Sequence, residues 1–102
     1  MSIKKQFLKS KDLCKVTWQV DKKTANGADS ISLSGTFNNW SLNENKLQKL
    51  KNGNFKLVME LPKNSDYQFR YVVDGQNWLN EITADGFVDN QVSNEKNCVI
   101  SL

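Results

Sequence analysis

A chain of 102 residues with 38% hydrophobic content is long enough to bury one core and too short for two. Its net charge of +3 is mild, and the excess comes from Lys4, Lys5, Lys9, Lys11, Lys15, Lys22 and Lys23 against only Asp12 and Asp21, a distribution read as a solvated basic surface rather than a nucleic-acid or membrane site. With no histidine and two cysteines, histidine-dependent nucleophiles and the common zinc-ligand sets are excluded.

Residues 1–12 read as a basic N-terminal arm and residues 13–102 as one domain. No long apolar run follows the start, so neither a signal peptide nor a spanning helix is expected, and the cytoplasm is the expected compartment. Cys14, Val16, Trp18 and Val20 alternate with Lys15, Thr17 and Gln19, the period of two of a strand with one buried face. Asp21 to Asp29 is polar and reads as a loop turning at Asn26-Gly27. Ile31 and Leu33 form a short strand, and Asn52-Gly53 marks a hairpin between the Leu47–Leu50 segment and a strand through Phe55, Leu57, Met59 and Leu61. After a turn at Pro62 and Asn64, Tyr67, Phe69, Tyr71 and Val73 point inward, leaving Gln68, Arg70 and Val72 on the outer face. Asp74-Gly75 is the next reversal, and Cys98, Ile100 and Leu102 close the chain. No segment shows sustained helical spacing. Short strands with frequent turns predict an all-β fold, a single antiparallel β-sandwich. Both cysteines fall on inward positions and read as buried thiols, with a disulfide between them left open.

Two segments stand apart from this pattern. Gly35-Thr36-Phe37-Asn38-Asn39-Trp40-Ser41 places an indole beside two amides in a turn, and Asp74-Gly75-Gln76-Asn77-Trp78 repeats the theme after the strongest strand. Arg70 stands on the outer face of that strand, close to Trp78, so a donor fork lies beside an aromatic ring. Sugars offer polarised C–H groups on one face and hydroxyls around the rim, so a site for them needs aromatic, arginine and amide groups together. Trp18 alternates with polar neighbours and reads as core. The carboxylates Glu60, Asp66, Asp74, Glu81, Asp85, Asp89 and Glu95 lie mostly in turns, with too little chain around them to build a deep acid–base cleft, and no GxxxxGK phosphate loop is present. No enzyme activity, metal or cofactor is expected.

The run Ile31 to Ser41, followed by Tyr67-Gln68-Phe69-Arg70-Tyr71-Val72-Val73-Asp74-Gly75 and then Trp78, resembles the glycogen-binding domains of AMP-activated protein kinase β-subunits. It is similar in the same way to the isoamylase N-terminal, or early set, domains of carbohydrate-binding module family 48. The resemblance spans roughly residues 13 to 102. It implies an immunoglobulin-like sandwich in which Trp40 and Trp78 stack on glucose units of an α-1,4-glucan such as glycogen or a maltooligosaccharide. Arg70 stands where the kinase subunits have lysine and would bond sugar hydroxyls. A sugar-contacting asparagine near the last strand has its nearest match in Asn97, or in Lys96 if the register shifts by one. Val92 takes the place of a leucine inserted into bound glucan, and Asn39 flanks the first tryptophan. The alternative reading is a protein-interaction adaptor that keeps the sandwich and docks a partner such as a glycogen-metabolising enzyme.

Overall fold

The alternating pattern folds into two antiparallel sheets packed face to face. The computed structural model describes residues 1–90 and 95–102. The first sheet has the order β1-β2-β5-β4, from β1 (Ser2–Phe7), β2 (Leu13–Val20), β5 (Phe55–Pro62) and β4 (Gln48–Lys49). The second has the order β3-β6-β9-β8, from β3 (Ile31–Gly35), β6 (Asp66–Val73), β9 (Lys96–Ser101) and β8 (Gly86–Asp89), with β7 (Asn77–Leu79) pairing the far end of β6. Among the described residues no helix is long and apolar enough to cross a membrane.

Alternation places the core as expected. Cys14, Val16, Trp18 and Val20 are fully buried from one sheet, and Ile31, Leu33, Phe69, Tyr71 and Ile100 from the other. Trp18 sits at the centre, 6.0 Å from the Phe69 ring centroid and 6.1 Å from Phe37, edge and tilted contacts that add to the area the indole removes from water. Cys14 and Cys98 are buried free thiols. Burial is the main cause of a raised Cys98 pKa, which keeps that thiol protonated and unreactive.

Three features were not anticipated. The segment read as a basic arm holds β1, which pairs with β2 along its whole length, from Ser2 opposite Gln19 to Phe7 opposite Cys14. Lys5, on the inward parity of this edge strand, reaches the opposite sheet, where its Nζ donates to Asp85 Oδ2 at 2.6 Å and to the Ser101 carbonyl at 3.1 Å; an inward charge on an edge strand also discourages stray pairing. The loop after β2 begins with one helical turn, α1 (Lys22–Ala25), capped by Asp21, whose carboxylate accepts from the Thr24 N–H at 3.2 Å. A single turn is too short to show a helical period. Glu81, read as one of the turn acids, is fully buried, accepting from Tyr71 Oη at 2.8 Å and Thr83 Oγ1 at 2.8 Å.

Charge divides between the sheets. Residues 1–23 and 46–63, which contain all of the first sheet, carry twelve lysines and three carboxylates, while the rest of the chain carries two cations and eight carboxylates.

Candidate functional site

The first tryptophan loop is built by close approach and one buried amide. Gly35 ends β3 opposite Phe69, and a Cβ there would lie 2.4 Å from the Gln68 carbonyl, so only glycine lets β3 come this near β6. The chain then makes one 3-10 turn, Thr36–Asn38. Phe37 turns into the core against Trp18 and, at 6.4 Å, Tyr67. The Asn38 side chain is buried; its Oδ1 accepts from Gly35 N–H at 3.0 Å, and its Nδ2 donates to the Leu33 carbonyl at 2.9 Å and to Asn45 Oδ1 at 2.7 Å. Asn39 and Trp40 follow with φ of 55° and 58°. Left-handed backbone is tolerable for asparagine and costly for an aromatic residue. It is held here because Trp40 N–H donates to the Gly35 carbonyl at 2.9 Å, closing the loop. Asn39 is exposed and Trp40 partly so.

The second tryptophan comes from a hairpin. Asp74 and Gly75 have φ of 52° and 75°, the two positive values of a type I′ turn. Asp74 also accepts from the N–H groups of Asp29 and Ser30 at 2.8 and 3.0 Å, fixing the hairpin to the chain entering β3. In the β6–β7 pair Trp78 lies opposite Val72, and directly opposed residues share a face, so the indole stands on the outer face of the second sheet. It is 43% exposed.

Arg70 is on that same face with its guanidinium carbon 5.3 Å from the Trp78 ring centroid, a cation–π arrangement. The sequence placed it outward, and it is outward, yet it is only 6% exposed because its neighbours close over it. Its Nε donates to Asn80 Oδ1 and its Nη1 to Glu95 Oε2, both at 2.6 Å. Asn80 in turn donates to the Lys96 carbonyl at 2.9 Å, tying the strand end after β7 to β9. Arg70 is thus a fixed fork whose Nη2 has no partner among the described residues.

Beyond Arg70 the outer face continues as amides. Asn97 on β9 is buried; its Nδ2 donates to Gln68 Oε1 at 3.2 Å, and its Oδ1 accepts from Asn90 Nδ2 at 3.3 Å. Lys96 has the opposite parity; it is exposed and paired with Asp89 at 2.8 Å, the ammonium holding that carboxylate's pKa down. Val92 lies outside the described residues. The structure therefore brings Arg70 and Trp78 together, sets Asn97 on their face on the adjacent strand β9, and leaves Lys96 at the margin. Asn80 and Glu95 were not singled out from sequence. Their role depends on the β6, β7 and β9 register, which no local pattern encodes.

An indole, a buried guanidinium and a row of amides on one outer sheet face define an all-β sandwich whose distinctive chemistry lies on a surface. Residues 15–100 match the family described as the glycogen recognition site of AMP-activated protein kinase, and the chain belongs to that family. It is 32% identical over 74 residues to 5'-AMP-activated protein kinase subunit beta-1 of Sus scrofa, an alignment covering 72% of this chain and 55% of that protein. The chain therefore spans about half the length of this curated relative.

Proposed function

We propose that this chain is a non-catalytic α-glucan-binding module in which Trp40 and Trp78 stack on glucose units and Arg70 donates to their hydroxyls. Glycogen or a maltooligosaccharide is the ligand, a reading that the family's description as a glycogen recognition site supports. The observation that carries the reading is the half-exposed Trp78 ring with the Arg70 guanidinium fixed beside it on an outer sheet face. Asn97 belongs to the same face, Lys96 stands at its margin, and Asn39 and Val92 are included by resemblance alone. Free, buried thiols suit a reducing compartment such as the cytoplasm.

Two stacked rings and a few rim hydrogen bonds must offset the ordering of a flexible sugar, so the expected Kd is on the order of 10 µM to 1 mM. Calorimetric titration with maltoheptaose and β-cyclodextrin, with cellohexaose as control, tests this directly. Saturable binding of the α-linked sugars alone is expected, and replacing Trp40 and Trp78 together with alanine should abolish it while leaving the circular dichroism spectrum unchanged. Binding retained by that double variant would remove the rings from the site.

A second reading, a protein-interaction adaptor, is favoured by the lysine excess on the first sheet. Recovery from extract of one stoichiometric protein, unaffected by glucan and lost when the surface lysines Lys4, Lys15 and Lys56 are replaced by glutamate, would support it.

A further inference from the structure

Gln68 lies two residues before Arg70 on β6, so the strand period puts both side chains on the outer face about 7 Å apart. It is half-buried, restrained by its surroundings while still reaching solvent. Its own N–H donates to Thr36 Oγ1 at 3.3 Å, and its carbonyl is the atom that Gly35 must clear, so the Trp40 loop is built directly against it. From Gln68 to Val72, the residue opposite Trp78, the strand runs about 13 Å. A ligand lying along the outer face from Trp78 toward the first tryptophan loop passes Arg70 and then Gln68.

The amide row has a direction. Asn90 donates to the Asn97 oxygen, and Asn97 donates to the Gln68 oxygen. Each oxygen is therefore committed to the N–H of the residue before it, and the row ends in the two N–H groups of Gln68, which have no partner among the described residues. An amide whose oxygen is occupied presents donors only. Hydrogen bonding along such a row polarises each member in the same sense, strengthening the terminal donors.

We propose that Gln68 is a further sugar contact, donating to hydroxyl or ring oxygens of the glucose unit beyond the one stacked on Trp78, and that Asn97 is the positioning residue that fixes the polarity of its amide. The inference rests on the α-glucan reading and extends it: the module is selective for a linear run of several units, and its donor pattern between the rings is set by Arg70 and Gln68 together.

The test is a double-mutant cycle read by calorimetry with maltoheptaose, using the full chain. Gln68→Ala should weaken binding about 2- to 10-fold, the range of one net hydrogen bond, with thermal stability and near-ultraviolet dichroism unchanged. Gln68→Glu, which keeps the shape and the acceptor for Asn97 but removes the donors, should weaken it at least as much and serves if the alanine variant fails to fold. Asn97→Asp forces the Gln68 amide to turn its N–H groups inward, so it should weaken binding in the wild-type background and add nothing in the Gln68→Ala background. A wild type that binds maltoheptaose with Gln68 variants equally tight overturns the contact. An Asn97→Asp effect that persists in the absence of Gln68 overturns the positioning role. A wild type that takes up no maltoheptaose at millimolar concentration overturns the α-glucan reading itself, and this inference with it.

Discussion

At Asn38 one amide side chain makes three hydrogen bonds, to Gly35, Leu33 and Asn45, inside a loop whose next two residues are left-handed. Asparagine is the side chain that supplies both an acceptor and two donors at this length. Asn38→Ala should therefore cost about 2–4 kcal/mol, since several buried backbone and side-chain groups lose their partners at once, and equilibrium urea unfolding measures it. Trp40 should lose its fixed position in the same variant, seen as a drop in tryptophan fluorescence anisotropy. Arg70 has a comparable role in the second loop. Lysine keeps the charge but not the planar fork that reaches Asn80, Glu95 and the Trp78 face together. Arg70→Lys is expected to weaken maltoheptaose binding several-fold and to shift Trp78 emission to the red as the ring becomes more exposed.

The Lys5–Asp85 ion pair joins β1 to the second sheet, and its pH dependence follows from the carboxylate. Partial burial of Asp85 works against ionisation, but the Lys5 ammonium and the Ser101 N–H outweigh it and hold the pKa below the usual carboxylate value. A carboxylate depressed on folding contributes stability that is fully present above its unfolded pKa and is lost as pH falls through the folded one. The unfolding midpoint should therefore fall below about pH 4, near the ordinary aspartate value, and Asp85→Asn should show a smaller decline over that range. The sequence showed the long strands plainly, because β2, β5 and β6 each have eight residues in which one face is apolar. It hid β1, β7 and β8. Lys4-Lys5-Gln6 interrupts the alternation of β1, whose Lys5 is inward only because Asp85 waits across the sandwich. The other two strands are three and four residues long, too short for a period. Within the site, Trp78 and Arg70 were legible because the spacing along one hairpin puts them together, and Trp18 was legible as core by its parity. Asn80, Glu95 and the bonding of Asn97 were not, since each depends on strands brought together from distant parts of the chain.

At the scale of the whole molecule, the face that carries Trp78 and Arg70 and the face that carries most of the lysines belong to different sheets of one sandwich. A neutral sugar gains nothing from long-range attraction, so maltoheptaose affinity should change less than about two-fold between low salt and a salt concentration at which charges are screened within about 8 Å. Any contact made through the first sheet should instead weaken steadily over the same range. Titration at both salt concentrations separates the two. The division of charge also gives the molecule a sense of direction. In the field of an anionic surface it experiences a torque as well as an attraction, turning the lysines toward that surface and the Trp78 face away from it before anything touches, so the molecule would arrive there already oriented.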